Sequence, residues 1–153
     1  MISTDHAALI AEFGKSVGLD DLRFQEDTAI LSFDDIAVEI RTDDERRHYG
    51  FAADLGDAPG VPHADILRKF VDLACGLAVT TGLSLILDTN SGRYLLADKL
   101  DYEGADISHF EKCLKRLIEQ AEVLAPMLRS AEFLSISEPA PSGYDASEFV
   151  IRA

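Results

Sequence analysis

From Leu73 to Leu83 the chain runs without a single charge: Leu73, Ala74, Cys75, Gly76, Leu77, Ala78, Val79, Thr80, Thr81, Gly82, Leu83. The stretch forms the second half of a segment, starting at Asp65, whose apolar residues recur every three or four positions. That spacing predicts a helix. Residues 83–88 and 93–100 follow as a β-hairpin around Thr89-Asn90-Ser91-Gly92. An ordinary surface helix in a small domain has one apolar stripe about 100° wide. This helix has two, Ile66/Phe70/Leu73/Leu77 and Leu67/Val71/Ala74/Ala78. The second needs cover from outside the chain's own core, and a second copy of the chain is the simplest source. A homodimer is therefore expected, with Leu73, Leu77, Ala78, Leu85 and Leu87 at the contact. Leu77→Asp should then give monomers or aggregates.

The 153 residues suit one domain with a substantial core, and 47% hydrophobic with 27% charged residues is a globular composition. The packed α+β domain is expected over residues 1–132, with residues 133–153 as a C-terminal tail. A net charge of −14 repels phosphates and anionic lipid and favours basic or amphipathic protein partners. Neither nucleic-acid binding nor membrane insertion is expected, since no apolar run approaches the ~20 residues of a span. The first residues, Met1-Ile-Ser-Thr-Asp-His6, lack a basic region and an apolar run, so no secretory signal and a cytoplasmic location are expected. Cys75 and Cys113 lie on helical segments and read as small, buried or half-buried side chains of a reducing compartment.

In chain order, Ser3 or Thr4 can cap a first helix carrying Leu9, Ile10, Phe13 and Val17, with Gly18 as its stop. Strands are expected over 28–33 and 36–41 around Asp34-Asp35. Ile36, Val38 and Ile40 alternate with Ala37, Glu39 and Arg41. A third strand over 48–55 puts Tyr49, Phe51, Ala53 and Leu55 on one side and the small Gly50 and Ala52, with Asp54, on the other. A Gly- and Pro-containing loop, 56–62, leads to the two-stripe helix. After the hairpin, Ser108-His-Phe-Glu111 reads as a capping box for a last helix, with Glu111 and Lys115 as an i,i+4 pair. Its buried stripe is Phe110, Leu114, Leu117, Ala121, Leu124 and Leu128, and Pro126 should kink or end it. The order is α-β-β-β-α-β-β-α, a twisted antiparallel sheet with helices packed against it. The tail opens with strand-like alternation at Phe133 and Ser135 against Leu134 and Ile136.

No chemistry is announced. His6, His48, His63 and His109 are scattered, and the acidic pairs sit in turns beside water. Neither a general acid nor a metal set at ligand spacing results. The stretch Asp88–Gly92 imitates a calcium loop but has its glycine one place early and Lys99 where the bidentate Glu belongs. An enzyme is not expected, nor is a cofactor.

The ordered set of motifs resembles the Tir-chaperone (CesT-like) family of type III secretion chaperones, in its small acidic, effector-specific class. The likeness rests on Leu31-Ser-Phe-Asp-Asp35, on Phe51-Ala-Ala-Asp-Leu-Gly56 before the Pro-containing loop, and on the charge-poor helix ending in Thr81-Gly82. It continues through Leu85-Ile-Leu-Asp88, Tyr94-Leu-Leu96 and the last helix from Phe110 to Glu122. It covers residues 5–130. Leu124 stands near the place where many relatives carry Trp, and the tail is longer than theirs. The resemblance implies a bacterial cytoplasmic homodimer around which an effector's extended N-terminal segment wraps, kept soluble without ATP hydrolysis for the secretion ATPase. Pockets and an added strand would hold the segment. Candidate partner-binding residues are Leu9, Ile10, Phe13 and Val17 on the first helix, with Ile36 and Val38 on the sheet. A regulator of the same fold that sequesters a protein is the alternative, ahead of a small enzyme.

Overall fold

The computed structural model describes residues 5–60 and 62–135. Ser3, Thr4 and residues 136–153 of the expected tail lie outside them. In order come α1 (His6–Ser16), β1 (Thr28–Phe33), β2 (Ile36–Asp43), β3 (His48–Asp57), α2 (Ala64–Thr81), β4 (Ser84–Asp88), β5 (Arg93–Asp101), α3 (Ile107–Leu128) and a short α4 (Ala131–Leu134). The five strands form one antiparallel sheet in the order β1-β2-β3-β5-β4. The expected order of elements is present, with α4 added.

Period-2 patterning decides which face of the sheet is dry. In β3, Tyr49, Phe51, Ala53 and Leu55 are buried, whereas Gly50, Ala52 and Asp54 are half-buried. Ile36, Val38 and Ile40 continue the buried side in β2, and Tyr94 and Leu96 continue it in β5. The stripe from Phe110 to Leu128 on α3 lies buried against this face. Tyr94, Leu96 and Asp98 share one side of β5. There Tyr94 stacks on Phe70 of α2 at 5.7 Å, and Asp98 pairs with Arg116 of α3. Helices α2 and α3 therefore cover the same face. Among the described residues the opposite face carries no helix.

Several local expectations are corrected. Asp5 caps α1, its side chain accepting from the Ala8 amide at 3.0 Å. Asp106 caps α3, accepting from the His109 amide at 2.9 Å, so Ser108 and Glu111 lie inside the helix and form no capping box. Two good capping residues stood two positions apart, and the earlier one took the place. Lys115 pairs with Glu119 at 3.8 Å, while Glu111 accepts from the Ser16 hydroxyl at 3.3 Å. Helix α3 ends at Leu128, two residues past Pro126. The alternation read from Phe133 to Ile136 makes no strand among its described residues, 133–135: Ser130 caps a single helical turn that buries Phe133. Lys69 donates to the carbonyls of Glu132, Phe133 and Ser135 and so fixes that turn to α2.

Gly14 shows how tightly the end of α1 is seated. A Cβ there would lie 2.5 Å from the Leu19 carbonyl oxygen and 2.7 Å from the Leu22 Cβ. Backbone cannot yield as a flexible side chain can, so the overlap outweighs alanine's better helix propensity. Gly14→Ala is expected to cost about 1–3 kcal/mol in urea unfolding. An unchanged midpoint would show that the 17–22 loop moves freely from the helix.

Candidate partner-binding surface

The two stripes of α2 separate cleanly. Ile66, Phe70 and Leu77 are buried within the chain and Leu73 is half-buried. On the other stripe Leu67 is 42% and Val71 49% exposed, Ala78 is exposed and Ala74 is half-buried. Val79, on the outer side of the charge-free half, is 87% exposed. Among the residues named from sequence for a dimer contact, Leu77 and Leu85 lie in the chain's own core, Leu73 and Leu87 are half-buried, and Ala78 is open. Leu67, Val71 and Val79 form the rest of the open surface. The first two were already legible as members of the second stripe.

The residues named for partner binding are placed unevenly. Ile10, Phe13, Ile36 and Val38 are buried, Leu9 is half-buried and Val17 is 36% exposed. Helix α1 turns its apolar side onto α3, with the Phe13 ring 5.6 Å from Phe110. What β1 leaves open is Ile30, at 67% exposure. Its position between the buried Ala29 and Leu31 is the alternation that would have identified it.

The uncovered sheet face has small residues at its centre flanked by the long Glu39, Arg41 and Lys99. Ala52 lies opposite Ala97, and Gly50 opposite Lys99. At one end the Arg93 guanidinium donates to both carboxylate oxygens of Asp54, at 3.0 and 2.7 Å, and to Asp57 at 2.6 Å. This fork spans the irregular register between Asp54 and Gly56.

A polar and aromatic cluster pins the start of α1. His6 Nδ1 lies 2.6 Å from the Tyr49 hydroxyl, and its ring centroid is 4.4 Å from that of Tyr102. The Tyr102 hydroxyl donates to Asp44 at 3.0 Å. Burial, with Tyr102 and Asp44 nearby, pushes Tyr49 up to about 12. Burial and the Asp44 carboxylate do the same to Tyr102. Elsewhere, burial and the neighbouring Asp98 push the Cys113 thiol up to about 11, which keeps it protonated and unreactive at neutral pH. No three of the described His, Cys, Asp and Glu residues converge as a metal site. No described helix is long and apolar enough to cross a membrane.

The open apolar stripe of α2 thus lies beside β4, one of the two edge strands of the sheet. The sequence matches the model of the Tir chaperone protein (CesT) family over residues 8–125, and the chain belongs to that family of chaperones. No curated protein matches it. Among solved structures the fold is similar to a chain of the ExsC–ExsE complex, at 23% identity and a TM-score of 0.70, covering 83% of this chain and 96% of that one. It is similar to a chain of the HopA1–SchA chaperone–effector complex, at 20% identity and a TM-score of 0.66, covering 78% and 91%. A third likeness is to the structure of the Yersinia pestis type III secretion chaperone SycH with a fragment of YscM2. There the identity is 21% and the TM-score 0.55, covering 77% and 98%. At these identities the likeness is one of fold.

The tyrosine cluster makes an alkaline prediction. With folded values near 12 and an unfolded value of 10.0, Tyr49 and Tyr102 keep their protons where the unfolded chain has lost them. Below pH 10 the two states are protonated alike and these groups add no slope. Stability should fall as pH rises from 10 towards 12. Tyrosinate absorbance should show Tyr49 and Tyr102 ionising late in the native protein, together with Tyr94, which burial also raises. Titration of all tyrosines near 10 would contradict the packing described.

Proposed function

We propose that this protein is a cytoplasmic type III secretion chaperone that works as a homodimer without catalysis. It holds the N-terminal segment of a secreted effector extended and soluble until the secretion ATPase takes it. The observation that carries this reading is the family match, which spans nearly the whole packed part of the chain. The complexes named above contain bound protein partners, which agrees with it. Physically, a disordered segment gains order on a preformed surface, so the chaperone needs exposed apolar positions and strand edges rather than a reaction centre.

The second stripe of α2 supports pairing. Leu67, Val71 and Ala78, with Val79 beside them, present an apolar surface on a helix whose other stripe already serves the core. A two-fold contact through this helix would cover both copies at once. Around Ala78 and Val79 the charge-free half brings no charged residue that a contact would have to desolvate.

Val71→Asp is expected to give a folded monomer by light scattering. Leu77→Asp, in the core, should instead unfold the chain. A Val71→Asp protein that remains a dimer would remove α2 from the interface. For the chaperone role, the tagged chain purified from its native cells should carry one protease-protected N-terminal segment of a larger secreted protein. A partner-free dimer recovered from cells that are actively secreting would overturn the reading.

A further inference from the structure

The family match ends at residue 125, but the packed part of the chain does not. Past it, α3 runs on to Leu128, and α4, in contact with both α2 and α3, buries Phe133. The Ser130 amide and hydroxyl both return to the Met127 carbonyl, at 3.0 and 2.7 Å, so the chain doubles back at the end of α3. Lys69 then holds Ser135, donating to its carbonyl at 2.7 Å and to its hydroxyl at 3.2 Å. Its ammonium thereby serves carbonyls that a four-residue helix leaves unpaired. The point from which residues 136–153 leave the domain is fixed.

Just before this exit, α3 carries an apolar line that no described element covers. Glu119, Val123 and Met127 recur every four residues and so share one side of the helix. Val123 and Met127 are exposed, as is Leu134 at the end of α4. This side lies away from the buried stripe of α3 and on a different helix from the stripe assigned above to a second copy. Residues 136–153 bring Phe149, Val150 and Ile151 after Pro139, Pro141 and Gly143, residue types that favour turns. Arg152, the segment's one cation, follows them, and Glu119 stands one turn before Val123. Residues 137–148 could span about 40 Å when extended. Met127 and Val123 lie only about 6 Å apart along the helix, so reach is not limiting. A tether of this length holds its end at an effective concentration on the order of millimolar, which a free partner would have to exceed.

We propose that residues 136–153 fold back onto the outer side of α3, where Phe149 and Ile151 cover Val123 and Met127. The contact is made within one chain and goes beyond the chaperone reading, on which it does not depend. An apolar surface that would otherwise invite association is closed by the chain itself.

The test uses the full chain with Cys75→Ser and Ser147→Cys, carrying a nitroxide at position 147. Cys113 is buried and stays unlabelled. The methyl groups of Met127 and Val123 should lose most of their NMR intensity, while those of Leu67 and Val71 on α2 keep theirs. Phe149→Ser together with Ile151→Ser should return the lost intensity. Both positions lie outside the described residues, so none of the packing described above is touched, and unchanged methyl shifts at Leu114 and Leu117 check this. Loss at Leu67 and Val71 instead, no loss at all, or loss that survives the double substitution would overturn the proposal. Nitroxide-bearing chains mixed with separate isotope-labelled chains should produce no loss at Met127 and Val123. A loss there would give the surface to a second copy's segment and overturn it as well.

Discussion

Phe110 sits where three parts of the molecule meet. Its ring lies 4.8 Å from Tyr49 and 5.4 Å from Phe51 on the sheet, and 5.6 Å from Phe13 on α1. The side chain is fully buried at the start of α3. Through it the long helix is placed across β3 and β5, and α1 is held against that helix, touching the sheet at its start through His6 and Tyr49. Aromatic groups of this size bury large areas, and edge-on contacts add specific geometry. Once α3 occupies the middle of the face, α2 is left the end beside β4. A helix laid on that end turns one stripe, Ile66, Phe70 and Leu77, to the core and leaves Leu67, Val71 and Ala78 outside. The open stripe is thus a consequence of how one face of a five-stranded sheet is shared among helices.

Much of this was legible because side-chain periods were unambiguous. Residues 36–41 and 48–55 alternate without a break, and the six-residue stripe of α3 is buried in full. The two stripes on α2 could be drawn on the sequence before any coordinates. What periodicity cannot tell is which surface a stripe meets. Ile10 and Phe13 have the spacing of an amphipathic helix whether the other side is the chain's own α3 or a partner. They face α3. The same ambiguity put Leu77 and Leu85 at a contact with another copy, although both are buried within the chain. Ile30 was passed over for the opposite reason: on an edge strand, a lone exposed isoleucine in an alternating run looks ordinary.

A domain that leaves apolar stripes and a strand edge open risks sticking to itself. The net charge of −14 opposes that. Long-range repulsion between copies is softened by salt, whereas a specific apolar contact is hardly affected. The distribution matters as much as the total. Charge is absent from residues 73–83, and carboxylates crowd the 20–27 loop and the turns. Association is thereby permitted at one surface and discouraged elsewhere.

The central ladder also governs how the chain folds. β1, β2 and β3 form a meander, and β4 and β5 a hairpin, so each group closes through short turns. β3 meets β5 only after α2 and β4 have been looped out, with Asp57 beside Arg93 and His48 beside Asp101. Closing that loop loses chain entropy before the contact returns any of it. Assembly of the two halves carries the largest loop-closure cost among the strand pairings, and until it happens β3 and β5 are additional open edges. Arg93, reaching from β5 to Asp54 and Asp57 at the end where the loop closes, is a buttress formed only when the halves have met in register, as is the Tyr102–Asp44 bond at the other end.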